Sequence, residues 1–265
     1  MRFTKYQGLG NDYLYVYGEP AEPEALAVRL SDRHFGPGAD GMIWIGPSAV
    51  ADFKMRIFNA DGSEAGMCGN GIRCVGKYVY DKGYTNKTRL RIETRSGIRT
   101  LELLLTDGAV SGASVDMGVA RVSPERTIRV EGAEIALTCV DVGNPHAVIF
   151  TQDAEAAPLT ALGPAIEHHE AFPGGVNVEF VQATARNRLR MRVWERGSGV
   201  TLACGTGACA SAAAAVSKGL CDPGAPIAVA LDGGTLHVTV GADGAVRMEG
   251  PCEFVYEGDT EICLR

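Results

Sequence analysis

The sequence predicts an α+β fold of two pseudo-symmetric domains, each a curved, mostly antiparallel sheet wrapped around one central helix. Three observations carry that expectation. First, short motifs recur in order along the chain. Cys68-Gly69-Asn70-Gly71 and Cys204-Gly205-Thr206-Gly207 stand 136 residues apart (204 − 68). The same offset links Lys82-Gly83 to Lys218-Gly219 and Gly97 to Gly233, while Gly10-Asn11 and Gly143-Asn144 are 133 apart. Self-similarity at a fixed spacing marks duplicated structure. Second, each half repeats one run of patterns: alternating strand, glycine-rich loop, helix, tight hairpin. Third, Ala208–Val216 carries small residues on all sides, which suits a helix enclosed closely by a sheet.

The elements follow in order. Met1–Tyr6 alternates like a strand. Phe53–Phe58 and its counterpart Leu189–Trp194 alternate likewise, and each leads through a glycine-rich loop to a cysteine. Helices are expected from about Gly71 to Tyr80 and from Gly207 to Val216; the first places Ile72, Val75 and Val79 on one face. The glycine after each lysine, Gly83 and Gly219, is a C-terminal cap. Hairpins then follow: Leu90–Thr94 with Ile98–Leu103, and Ile227–Leu231 with Leu236–Val240. The expected domains are residues 1–119 and 120–252, with Val119–Pro124 as linker and a tail, about 253–265, returning to the first domain.

Composition narrows the function. The chain has 265 residues, of which 46% are hydrophobic, so two domains of about 100–150 residues each can bury adequate cores. Lys+Arg number 25 against Asp+Glu 32, with no basic cluster, which argues against a nucleic-acid partner. Ala208–Val216 is far shorter than the ~18–20 residues of a membrane span, so no membrane partner is expected. The N-terminus lacks the apolar core and cleavage site of an export signal, and a cytoplasmic location is expected.

Eight cysteines lie at 68, 74, 139, 204, 209, 221, 252 and 263, with no Cys-x-x-Cys spacing. Neither a zinc site nor a redox dithiol motif is indicated, and no disulfide framework is expected. Cys74, Cys139, Cys209, Cys221, Cys252 and Cys263 read as buried structural thiols. Cys68 and Cys204 differ, because each stands before a helix and is followed by glycines. A helix N-terminus carries partial positive charge and unpaired N–H donors. The expectation is a lowered thiol pKa and a cradle for a carboxylate. If two such halves face one another, a carboxylate held by both loops has its α-carbon flanked by two sulfurs. One thiolate then removes the α-proton, the other thiol returns one to the opposite face, and the amides stabilise the developing charge. The plain alternative for either loop alone is a buried cysteine in a turn. Two near-misses are set aside. Gly71–Tyr78 resembles a phosphate loop, but Tyr78 replaces the required small hydroxyl and Gly76-Lys77 falls mid-helix. Gly38-Ala39-Asp40-Gly41 lacks the acidic spacing of a metal loop and reads as a turn.

Several motifs resemble those of the diaminopimelate epimerase family. They are Asn59-Ala60-Asp61-Gly62-Ser63, then four residues, then Cys68-Gly69-Asn70-Gly71-Ile72-Arg73; Glu195-Arg196-Gly197-Ser198-Gly199 through Ala203-Cys204-Gly205-Thr206-Gly207-Ala208-Cys209; Gly8–Asp12; Gly143-Asn144-Pro145-His146; and Val176-Asn177-Val178. The resemblance covers essentially the whole chain. It implies a two-domain enzyme independent of pyridoxal phosphate and of any other cofactor or metal. The implied reaction is epimerisation of L,L- to meso-diaminopimelate, for lysine and peptidoglycan synthesis, in a homodimer. By the same resemblance Cys68 and Cys204 are the acid/base pair. Gly69, Asn70, Gly205 and Thr206 hold the reacting carboxylate, and Asn11 lies near the reacting centre. Asn59, Asn144, Asn177, Glu195 and Arg196 recognise the distal amino-acid group: an arginine forks onto a carboxylate and a glutamate pairs an ammonium. His146 and Glu195 influence the thiols, though a structural hydrogen bond is an alternative for His146. His168 and His169, with Glu167 and Glu170, read as a solvated polar loop.

The chain departs from the family's pattern at Gly41, where glutamine is common, and at Val200, where glutamate is common. Among alternatives, a proline-racemase-like enzyme would have no distal group for Glu195 and Arg196 to read. A histidine-racemase-like enzyme would lack the asparagine and arginine set, and phenazine-type isomerases lack the cysteine pair. A thiol redox-responsive protein is the alternative from another class.

Overall fold

A computed structural model describes residues 1–262, so Cys263 lies outside the described residues. The chain forms two compact units: Met1–Asp116 joined by the segment from Gly250 onward, and Met117–Glu249. The strands are β1 (Arg2–Gly8), β2 (Asn11–Tyr17), β3 (Gly41–Gly46), β4 (Phe53–Asn59), β5 (Glu64–Ala65), β6 (Arg89–Thr94), β7 (Gly97–Thr106), β8 (Ala109–Val119), β9 (Arg121–Val122), β10 (Arg126–Val130), β11 (Ala133–Asp141), β12 (Pro145–Phe150), β13 (Asn177–Ala185), β14 (Arg188–Glu195), β15 (Gly199–Val200), β16 (Pro226–Leu231), β17 (Gly234–Val240), β18 (Ala245–Pro251) and β19 (Glu253–Asp259). The helices are α1 (Pro23–Ser31), α2 (Gly69–Asp81), α3 (Leu159–Glu167) and α4 (Gly205–Ser217). Both unit boundaries fall inside strands, β8 and β18, and the segment expected as a linker carries the short strand β9.

In the first unit the strands pair in the order β19-β1-β2-β3-β4-β6-β7-β8, with β5 beside β4. Only β2–β3 and β4–β6 are parallel. In the second, β11-β12-β13-β14-β16-β17-β18 pair in order, with β9 and β10 against β11 and β15 against β14; only β12–β13 and β14–β16 are parallel. The two parallel pairings therefore recur at the same steps of both sheets. Parallel neighbours need a crossover rather than a hairpin. In each unit one crossover contains a short helix, α1 or α3, and the other contains the cysteine-led helix, α2 or α4.

The central helices pack against the strands of their own units. On α2, Ile72, Val75 and Val79 are fully buried, and Gly76 lets the helix approach β7: a Cβ there would lie 2.7 Å from Leu103 Cδ2. Lys77 next to it donates to Val110 O at 2.8 Å and pairs with Asp81, so Gly76-Lys77 serves helix packing. On α4, Ala208 through Ala215 are buried all round, as an alanine helix seated against β11, β12, β13, β14, β16 and β17 requires.

Two features differ from the sequence reading. Both central helices start two residues earlier than expected, because each cysteine is itself the N-cap. Its backbone is extended, and its sulfur accepts the N–H of Gly71 or Gly207 at 3.3 Å. Each unit also has a second, nine-residue helix. Helix α3 was hidden by Gly163 and Pro164, which locally oppose a helix. It forms because Gly163 brings it onto Trp194, where a Cβ would lie 2.5 Å from the indole Cγ.

Candidate active site

In the first unit, Cys68 is half-buried at the start of α2. Its Sγ accepts Gly71 N–H, and its thiol donates to Asn11 Oδ1 at 3.4 Å. Asn11 is held in that orientation by Asp40, whose Oδ2 accepts Asn11 Nδ2 at 2.8 Å and Asp12 N at 3.1 Å. Arg33 bridges Asp40 and Asp12, and Lys5 pairs with Asp12 at 2.7 Å, holding Asp12 below the usual carboxylate range. Asp40 is thus no simple turn residue; it orients the group that meets the sulfur.

Behind this loop lies Arg73, a fully buried guanidinium. It donates to Gly69 O and Pro251 O at 3.1 Å and to Asn70 Oδ1 at 3.0 Å. Burial lowers its pKa, opposed by the neighbouring thiol and phenol groups. Asn70 therefore serves the loop by anchoring Arg73. Asn59 closes its own turn, donating to Ser63 Oγ at 3.0 Å. Gly41 is explained by space: a Cβ would lie 2.2 Å from Phe58 O, so β3 admits no side chain there.

In the second unit, four expected site residues join one hydrogen-bonded chain. His146 and Glu179 share a bond of 2.6 Å with both side chains fully buried. His146 Nε2 donates to Asn144 Oδ1 at 3.1 Å, and Asn144 Nδ2 donates to Thr206 Oγ1 at 3.3 Å. Thr206 Oγ1 stands 3.5 Å from Cys204 Sγ. That oxygen also receives Asn144 N–H, and between hydroxyl and thiol either group can be the donor. Glu195, whose charge acts on Cys204, accepts from Thr201 Oγ1. The chain of contacts runs from the His146–Glu179 pair through Asn144 and Thr206 to Cys204.

The lowered thiol pKa expected at both helix ends is overturned for Cys204. Burial first, then the charges of Glu195 and Glu179, push its thiol well above its ordinary value, outweighing the bonds from Thr206 and Gly207 N–H. Burial likewise raises Glu195. A helix N-terminus supplies about half a charge, which two carboxylates in a desolvated pocket exceed. Cys204 is therefore a protonated thiol at neutral pH, within the field of the Glu195 carboxyl.

The remaining expected residues order the loop after β14. Asn177 Oδ1 accepts Arg196 N at 2.9 Å, and Asn177 Nδ2 donates to Pro145 O at 3.1 Å. Arg196 is exposed; its Nη1 donates to Gly174 O at 3.0 Å, and its stem lies over Gly175. Val200 is exposed on β15, opposite Trp194. Glu167, expected in a solvated loop, is instead the buried last residue of α3. His168 is exposed and bonds Pro164 O; His169 bridges Arg129 O and Ala171 N. Asp40, Glu167 and Glu179 were missed as site residues because a carboxylate's role is decided by what buries it, which no local pattern records.

Both units thus present a cysteine at the N-terminus of a central helix, its sulfur accepting a glycine amide, with a polar network behind it. This arrangement, on two sheets of matching topology, defines an α+β fold shared with solved structures of known class. A phenazine biosynthesis protein of the PhzF family from Bacillus anthracis superposes with a TM-score of 0.75 at 16% identity, covering 99% of each chain. A probable proline racemase from Agrobacterium radiobacter gives 0.75 at 17% identity, over 99% of this chain and 93% of that one. The sequence comparisons are more specific. The diaminopimelate epimerase family profile matches residues 3–123 and 138–255. Diaminopimelate epimerases from Acetivibrio thermocellus and Phocaeicola vulgatus are each 49% identical over 99% of both chains, and that of Methanococcus maripaludis is 46% identical over 99% of this chain. The chain belongs to the diaminopimelate epimerase family of isomerases.

Proposed function

We propose that this protein interconverts L,L-diaminopimelate and meso-diaminopimelate without a cofactor, with Cys68 and Cys204 serving one α-carbon from opposite sides. The observation that carries the reading is the duplicated cap: at equivalent positions of the repeat, each sulfur accepts the N–H of a glycine in the first turn of its helix. Gly69, Asn70, Gly205 and Thr206 supply the loops that hold the reacting carboxylate, with Asn11 beside Cys68. In the direction in which Cys68 is the base, its thiolate takes the α-proton and Cys204 delivers its own to the other face. In reverse the roles exchange, and Glu195 accepts the Cys204 proton before the thiolate acts. Arg196 and Glu195, with Asn59, Asn144 and Asn177, recognise the far amino-acid group.

The test is α-proton exchange: L,L-diaminopimelate in heavy water, under reducing conditions and without added cofactor, followed by NMR. Loss of the α-proton signal with appearance of the meso form is expected; no exchange would sink the reading.

The same reading carries a cytoplasmic place in lysine and peptidoglycan precursor synthesis, and a homodimer. Among the described residues no helix is long and apolar enough to cross a membrane. Exposed Phe254, Val255 and Tyr256 on β19 offer a surface for a second copy, which sedimentation tests as a mass twice that of the 27.9 kDa chain.

A further inference from the structure

Glu167 has no task in the mechanism above, yet its placement is doubly unfavourable. A carboxylate at a helix C-terminus opposes the helix dipole. It is also 6% exposed, where an ionised group needs strong partners. Its two oxygens take donors from one stretch of chain: Oε2 accepts Trp194 Nε1–H at 2.7 Å, and Oε1 accepts Gly197 N–H at 2.8 Å. Those donors bracket Glu195 and Arg196.

The surrounding packing is built around this bridge. Gly163 allows α3 to lie on the indole, and Gly197 takes the left-handed conformation (φ +77°) that turns its N–H toward the carboxylate. The other outside restraints on Arg196 are neutral groups, Asn177 Oδ1 at 2.9 Å and Gly174 O at 3.0 Å. Bonds to an ionised carboxylate are the stronger kind.

We propose that Glu167 is a positioning residue: its buried carboxylate spans Trp194 and Gly197 and so fixes Glu195 and Arg196 for the far amino-acid group of the substrate. This rests on the proposed reading of that pair.

The experiment is Glu167→Gln in a Trp44→Phe background, which leaves Trp194 as the sole indole of the two in the chain. A glutamine oxygen accepts one of the two N–H groups, and its NH2 opposes the other. The emission of Trp194 should shift. KM for L,L-diaminopimelate should rise about tenfold while kcat changes less than about threefold, since binding at the far end is loosened more than chemistry. If Glu167→Gln fails to fold, Glu167→Asp keeps the charge with a shorter reach and should give the same split with a smaller rise in KM. An unchanged KM beside a displaced Trp194 emission overturns the positioning role and leaves the epimerase reading standing, as does a loss confined to kcat. A parent enzyme that exchanges no α-proton of diaminopimelate overturns the reading beneath it instead.

Discussion

The loops at Cys68 and Cys204 share a backbone and differ in everything around it. Both cysteines are extended N-caps, both sulfurs accept a glycine N–H at 3.3 Å, and both helices end at a lysine followed by a left-handed glycine. Around Cys68 the buried charge is the Arg73 cation, and the sulfur faces an amide oxygen fixed by Asp40. Around Cys204 the buried charges are Glu179 and Glu195, and a hydroxyl stands beside the sulfur. The two halves share the capped helix start, while the surroundings of each thiol differ. The proposed two-thiol reaction would use that division, with the two proton positions set separately.

The strongest way to break this comparison is to remove the thiols one at a time. Cys68→Ala and Cys204→Ala should each lower epimerisation by about 10³-fold or more, within the range for losing a positioned acid or base. Both losses should be alike, because neither sulfur alone can exchange protons on both faces. Turnover retained in either variant, measured by optical rotation or by α-proton exchange with analysis of the product stereoisomer, would refute the two-thiol scheme.

The glycines behind the sulfurs sharpen the contrast. A Cβ on Gly207 would lie 2.8 Å from Glu179 Oε1, which a 2.6 Å bond to fully buried His146 holds in place, and 3.2 Å from Cys204 Sγ. On Gly71 it would meet Ile43 Cδ1 at 2.6 Å, the unbonded methyl end of a buried side chain, and Cys68 Sγ at an ordinary 3.5 Å. Gly207→Ala should therefore cost about 10²-fold in kcat by displacing sulfur and carboxylate, and Gly71→Ala less than about tenfold. Equal losses would mean that the two loops are equally rigid.

What was legible in the sequence tracks this same division. The repeat, the cysteine loops and the central helices are local patterns, and glycine spacing exposed all of them. The caps shifted the helix starts by only two residues. Helix α3 was not legible, since Gly163 and Pro164 oppose it locally and only the Trp194 ring explains the glycine. Nor were the thiol environments. Glu179 lies on β13 between Val178 and Phe180, and all three are buried because α3 and α4 both pack on that strand. Alternation alone would send this glutamate to solvent. Asp40 read as a turn for the same reason: its partner Asn11 is 29 residues away.

The smallest effect tests the electrostatic half of the comparison. At the repeat offset of 136, the counterpart of Glu195 is Asn59, which is already neutral. Burial raises the Glu195 pKa above its ordinary value of 4.5, so the folded protein holds this proton more tightly than the unfolded chain. Below about pH 4 both states are protonated and no penalty exists. As pH rises through the window up to the folded pKa, the unfolded chain ionises first and stability falls; above that window the full penalty remains. Glu195→Gln removes this titration and keeps an acceptor for Thr201, making the second loop resemble the first. It should gain about 1 kcal/mol at pH 7, seen as a rise of a few degrees in Tm, and the gain should vanish near pH 4. Activity should fall at the same time, because the proposed base for the Cys204 proton is gone. A Glu195→Gln protein less stable than the parent at pH 7, by thermal or urea unfolding, would mean that the carboxylate stabilises its loop more than its burial costs.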